Sequence, residues 1–121
     1  VTINGQTETQ EPEIASGELV ALDTATGAVK WAHKFSAPAF GAATVVNDLV
    51  FATTFNGTVY ALKAATGDVV WQVELAAGTN TGVAIDGNTM IAPAGAAQAQ
   101  GQTPELMAYR LGSAGGEQQT P

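Results

Sequence analysis

The 121 residues include no cysteine, which excludes disulfide scaffolds, zinc knuckles, thiol nucleophiles and cysteine-held clusters together. Bases are scarce as well. Four Lys and Arg stand against eleven Asp and Glu, a net charge of −7, so the electrostatic footprint of a nucleic-acid binder is missing. Charged residues of both signs amount to 12% of the chain, about half the usual share. No apolar run approaches roughly 18 residues, and no basic stretch followed by an apolar one opens the sequence, so neither a membrane span nor a secretory leader is read. What is there is a chain 45% hydrophobic, with 14 glycines and an excess of Ala, Thr and Gln. That balance predicts short strands and tight turns, an all-β chain with enough length for one small domain.

Self-similarity organises the sequence. The segment from Gly17 to Trp31 aligns with Gly57 to Trp71 without a gap at an offset of 40, and eight of the 15 positions are identical: Gly17/Gly57, Ala21/Ala61, Leu22/Leu62, Ala25/Ala65, Thr26/Thr66, Gly27/Gly67, Val29/Val69 and Trp31/Trp71. Unrelated stretches would share roughly one. A third, partial copy runs from Pro104 to Gly112, with Ala108 in the place of Ala61 and no Trp-bearing strand after it; the extra length lies in the low-complexity loop 95–103. The opening residues 1–5 resemble 51–57, the strand before the repeated segment, followed by a polar insertion at 6–16. The chain therefore begins and ends inside a repeat, as expected of part of a longer polypeptide or of one half of an assembly.

Local signals within one repeat fit short antiparallel strands. Phe35 to Phe40 reads as a strand broken by Pro38, suited to a sheet edge or the ring centre. Residues 43–46 and 49–54 flank the two-residue turn Asn47-Asp48, and Asp86-Gly87-Asn88 repeats that device. Thr58 to Leu62 is apolar on both faces, the mark of a strand buried on two sides. The loop Lys63 to Gly67 closes a bulged hairpin, and 69–75 returns as the outer strand. Repeats of about 40 residues built as four-stranded antiparallel sheets are the unit of a β-propeller, whose blades bury both faces only against neighbours. The expected division is a partial blade at 1–35, a complete blade at 36–75, an incomplete blade at 76–112 and a flexible tail at 113–121. Three blades are too few to close a ring of the usual four to eight, roughly, so apolar outer faces await another chain or another copy.

The spacing of Ala21, Asp23, Thr26-Gly27 and Trp31, repeated in Ala61, Lys63, Thr66-Gly67 and Trp71, resembles the tryptophan-docking motif of the PQQ-type repeat, in the quinoprotein alcohol dehydrogenase-like family. The resemblance covers about residues 17–111 and fades in the third copy, where no Thr-Gly-x-x-x-Trp follows Tyr109. It implies that Trp31 and Trp71 are girdle residues wedged between blades, with Ala21 and Ala61 small to admit a ring. Truncating Trp71 is then expected to cost about 3–5 kcal/mol.

Two functions follow from the resemblance. One is a PQQ-dependent alcohol or sugar dehydrogenase, which needs a stacking Trp, calcium ligands, an Asp base and often a vicinal disulfide; none of that set is recognisable in this sequence. The favoured one is a non-catalytic scaffold or protein-binding module of the cell envelope, as in BamB-like assembly factors. It implies no catalytic, cofactor or metal site in this chain, with PQQ and calcium relevant only to a full-length dehydrogenase. Its partners are further blades, another copy or a protein, not nucleic acid, and its location by analogy is extracytoplasmic. The remaining candidates read as structure. His33 has no Ser, Asp or second ligand spaced to join it. Asp23, Asp48, Asp68 and Asp86 lie at turns, where carboxylates bond their own backbone. Glu8, Glu11, Glu13 and Glu18 form a solvated stretch, and Asn56-Gly57-Thr58 is a turn before it is a glycosylation site.

Overall fold

A computed structural model describes residues 2–3, 6–7, 15–112 and 117–119. Every described element is a β-strand: β1 (Thr2–Ile3), β2 (Gln6–Thr7), β3 (Gly17–Leu22), β4 (Val29–Phe35), β5 (Thr44–Val46), β6 (Leu49–Thr53), β7 (Thr58–Lys63), β8 (Val69–Glu74), β9 (Ala84–Asp86), β10 (Thr89–Ala94), β11 (Glu105–Arg110) and β12 (Glu117–Gln119). All pairings are antiparallel. Strands β5 to β8 form one four-stranded meander and β9 to β12 another, while β3 pairs with β4 and β1 with β2. The result is a partial β-propeller of stacked sheets, here blade 1 (β3 and β4), blade 2 (β5 to β8) and blade 3 (β9 to β12).

Stacking explains the hydrophobic pattern. The central strand β7 is buried at Thr58, Val59, Ala61 and Leu62, because side chains alternate between two faces that each meet a neighbouring blade. On one side Leu62 joins Phe35 and Ala52, with Leu19, Ala39, Tyr60 and Val69 around them, making the seam between blades 1 and 2. On the other side Val59 meets Val83, Met90 and Ala92, flanked by Phe51, Val73 and Tyr109, making the seam between blades 2 and 3. Among the described residues strand β3 has a neighbouring blade on one face only, and it alternates between half-buried and exposed residues along its length.

Three expectations differ from the structure. Phe35 ends β4, and 36–43 is an irregular connection, not a strand; Phe35 is only 3% exposed because it plugs the first seam, so its hydrophobicity reports blade stacking. The tail at 113–121 includes a strand: β12 pairs with β11 in the register Ala108↔Gln119, Tyr109↔Gln118 and Arg110↔Glu117, completing four strands in blade 3. An outermost strand needs no apolar side chains to satisfy the open backbone edge of β11, so its polar composition hid it. Residues 1–5 do not pair with β3 among the described residues; Thr2↔Thr7 and Ile3↔Gln6 form their own hairpin. Most of the acidic insertion, residues 8–14, lies outside the described residues, as do 113–116 and 120–121.

Candidate functional site

The repeated hairpin is where most of the sequence-predicted residues meet. In each copy the Ala sits directly across from the Trp, Ala21↔Trp31 and Ala61↔Trp71, and a bulge follows at once, so that Leu22 faces Val29 and Leu62 faces Val69. The bulge twists the outer strand. Ala61 is buried.

The turn between the strands is closed in both copies by a pair of backbone bonds. Gly27 N donates to Asp23 O and Asp23 N to Ala28 O, each at 2.8 Å; Gly67 N donates to Lys63 O and Lys63 N to Asp68 O, also at 2.8 Å. Both glycines hold positive φ, 73° and 78°, where a Cβ is disfavoured. The side chains differ. Asp23 Oδ1 accepts from the Ala25 and Thr26 amides, both at 2.9 Å, and from the Thr26 hydroxyl at 3.1 Å. Those bonds, the Thr26 amide first, hold its carboxyl below the ordinary carboxylate value of 3.8. In the second copy Lys63 replaces it, and the carboxylate moves to Asp68, whose Oδ2 accepts from the Thr66 hydroxyl at 2.7 Å.

Trp31 joins blade 1 to blade 2. Its indole Nε1 donates to Ala64 O at 2.8 Å, and its ring lies on Gly67 so closely that a Cβ there would be 2.5 Å from Cε3. Trp71 has a different setting. It is 39% exposed, its indole makes no hydrogen bond among the described residues, and its ring meets Tyr109 edge-on with centroids 5.8 Å apart. The Tyr109 hydroxyl is buried without a partner among the described residues, and burial, aided by the charge of Glu105, pushes its pKa up. In blade 3 the position across from Ala108 belongs to Gln119, where the earlier copies carry Trp.

Several threonine hydroxyls are bound within the stack. Thr53 Oγ1 donates to Thr81 O at 2.7 Å and Thr44 Oγ1 to Val83 O at 2.8 Å, tying blade 2 to the strand entry of blade 3. Thr54 Oγ1 meets Asn56 Oδ1 at 2.6 Å, and Thr79 Oγ1 donates to Thr81 O. His33 lies beside Phe35, ring centroids 5.0 Å apart. Among the described residues no three His, Asp or Glu converge, and each buried threonine hydroxyl already has an acceptor. Two features escape the sequence reading: Phe35 at the seam, and exposed Phe40 packed edge-on against half-buried Phe55; the cue for the second is two phenylalanines in segments otherwise made of small uncharged residues.

Comparison with known proteins agrees with this architecture. Residues 13–115 match the family described as outer membrane protein assembly factor BamB. A polyvinylalcohol dehydrogenase from a Pseudomonas species is 45% identical over 65 residues, covering 54% of this chain and 10% of the relative. The quinoprotein alcohol dehydrogenase PedH of Pseudomonas putida is 40% identical over 63 residues, 51% of this chain and 11% of that protein. The chain thus matches about a tenth of the length of these curated relatives. The crystal structure of BamB from Moraxella catarrhalis superposes with a TM-score of 0.62 at 24% identity, over 78% of this chain and 28% of that one. A europium-containing methanol dehydrogenase gives 0.60 at 17% identity, over 82% and 20%. Those two likenesses show the fold, and the family match extends over most of the sequence: the chain belongs to the PQQ-repeat family described by BamB, as stacked blades of a β-propeller.

Proposed function

We propose that the chain contributes non-catalytic blades to a PQQ-repeat propeller that serves as a protein-binding scaffold outside the cytoplasm. The observation that carries this reading is the use made of the motif residues. The indole of Trp31, the turn glycine Gly67 and the threonine hydroxyls at 44 and 53 all hold one blade to the next. The outer face of blade 1 leaves Val20, Leu22 and Val29 open, Val29 at 63% exposure, an apolar face suited to a further blade or a partner. The BamB of the family description is an outer membrane assembly factor, which supports both the scaffolding role and the extracytoplasmic location.

A second reading has one observation in its favour: identity to the polyvinylalcohol dehydrogenase, 45%, exceeds identity to the solved BamB, 24%. In that reading these blades brace a quinone site formed elsewhere in the polypeptide. The test is made on the full-length polypeptide carrying these blades, supplied with PQQ, calcium or a lanthanide, and a series of alcohols. The scaffold reading expects no quinone-dependent reduction of an artificial electron acceptor and recovery of a defined protein partner by cross-linking in the envelope fraction. Alcohol-dependent dye reduction that requires PQQ overturns it in favour of the dehydrogenase.

A further inference from the structure

Two equivalent faces of the stack differ in one respect: one is covered and the other is bare. On blade 2 the face toward blade 1 holds buried Leu62, with Tyr60 and Val69 half-buried beside it. At an offset of 40 the same positions of blade 1 are Leu22, Val20 and Val29, exposed by 54%, 40% and 63%. The two hairpins pair in the same register with the same bulge, so these three side chains point as their counterparts do, away from the following blade. Glu18 and Lys34, which face each other across the hairpin, stand at the far end of that face. Near the turn it is a leucine and two valines, an apolar surface where a solvated sheet face carries polar residues.

The turn beside those residues repeats a seat that is filled one blade later. In blade 2 the Trp31 ring lies on Gly67, and the Ala64 carbonyl accepts from its Nε1 at 2.8 Å. In blade 1 the equivalents are Gly27 and Thr24. The glycines have matching φ, 73° and 78°, and both turns are closed by the same pair of backbone bonds at 2.8 Å. Yet Gly67 is buried and Gly27 exposed, and nothing lies within 4 Å of a Cβ on Gly27. Among the described residues the Thr24 carbonyl accepts no hydrogen bond. Positive φ accounts for the glycine by itself; it does not account for the leucine and valines beside it.

We propose that the outer face of blade 1 is an indole seat, filled by the Trp-bearing outer strand of a further blade of the same polypeptide, with the ring on Gly27 and the indole N–H donating to the Thr24 carbonyl. A second copy of this chain has no indole to give. Trp31 is bonded to Ala64, Trp71 meets Tyr109 of blade 3, and Gln119 holds the position across from Ala108 where a third Trp would stand. A separate protein would have to imitate the hairpin, whereas a further repeat carries it. In the solved BamB the matched part is 28% of a single polypeptide, which leaves length for neighbouring blades in the same chain. The inference goes beyond both functional readings and holds for either, and it removes the apolar face of blade 1 from the surfaces open to a protein partner.

The test compares this chain with the full-length polypeptide carrying it, each bearing Leu22→Cys in a segment that has no cysteine of its own. Maleimide labelling is read by mass spectrometry on the peptide containing position 22. It should be fast in the isolated chain and about ten- to a hundredfold slower in the full-length protein, the factor that burial of a leucine-sized side chain corresponds to. Ala52→Cys, buried in the seam between blades 1 and 2, gives the protected reference rate in both proteins, and Val29→Cys is a second reporter should the first variant fold poorly. Gly27→Ala puts a methyl where the ring rests, so it should restore much of the labelling at position 22 in the full-length protein and change nothing in the isolated chain. The proposal fails if both proteins label alike, if Gly27→Ala leaves the protection intact, or if protection rises with protein concentration or requires an added partner. Dye reduction by the full-length protein decides the functional reading separately, so failure here leaves that result standing.

Discussion

Trp31 and Trp71 occupy the same position of the same hairpin 40 residues apart, yet among the described residues only the first has an acceptor for its indole N–H. Trp31 has a following blade that offers a carbonyl at Ala64 and a bare glycine at 67. Trp71 meets Tyr109 of the following blade edge-on and is 39% exposed, and the turn of that blade equivalent to Gly67 lies outside the described residues. The hairpin turns mirror this from the other side: Gly67 is covered by Trp31, and Gly27, with no blade before it among the described residues, has nothing within 4 Å of a Cβ. A docking motif is thus half of a contact. Its local sequence builds the turn and aims the ring, but the energy depends on what the next repeat supplies.

The largest expected effect is therefore at Trp31. Trp31→Ala removes a seated indole and its hydrogen bond and should cost about 3–5 kcal/mol, read as a fall in the urea midpoint, whereas Trp71→Ala should cost about 1–2 kcal/mol because much of its ring already faces water. Trp31→Phe keeps an aromatic ring and loses the donor to Ala64 O, a change of about 1 kcal/mol. Equal losses for the two alanine variants would break the comparison and restore the symmetric role that the repeat alone predicts.

That symmetry is what could be read in the sequence, and its failure marks what could not. The gapless offset from Gly17 to Trp71 dictates β3, β4, β7 and β8 with their turns, because a repeated Ala, Thr-Gly and Trp at fixed spacing encodes a local hairpin. Asn47-Asp48 reads correctly as a two-residue turn for the same reason, with Asn47 taking the positive φ of 54°. What a local pattern cannot encode is the partner across a seam. Phe35 reads as part of a strand through Phe40 and is a plug in a neighbour's face, and β12 carries no apolar signal since an outermost strand needs only backbone bonds.

A smaller effect sharpens the comparison at the turns. Alanine at Gly27 must adopt positive φ in open space, a cost of about 1–2 kcal/mol. Alanine at Gly67 bears the same backbone penalty and also drives a methyl into the Trp31 ring, which adds about 1–3 kcal/mol of overpacking. In a Trp31→Ala background the ring is gone, so the two glycine substitutions should become equal in cost. A double-mutant cycle measured by urea denaturation gives the coupling directly, and no coupling between positions 31 and 67 would mean that the indole does not rest on that turn in solution.

The smallest effect separates the copies by pH. Asp23 ionises below its ordinary value of 3.8 because three hydrogen bonds favour its charged form. A carboxyl whose folded pKa is depressed stabilises the fold above the unfolded value, and that contribution fades as pH falls below 3.8 and passes through the lower folded pKa. Lys63 at the equivalent position offers the second turn no such acceptor. The Ala25 and Thr26 amide resonances should therefore titrate together with a midpoint below 3.8, and Asp23→Asn should abolish that titration while leaving the Ala65 amide unaffected. Because the Asp23 carboxylate bonds lie at the surface, solvent and salt screen the contribution, and the amide shifts detect it more sharply than any change in midpoint; a titration of Ala25 at or above 3.8 would show that the carboxylate does not cap the first turn.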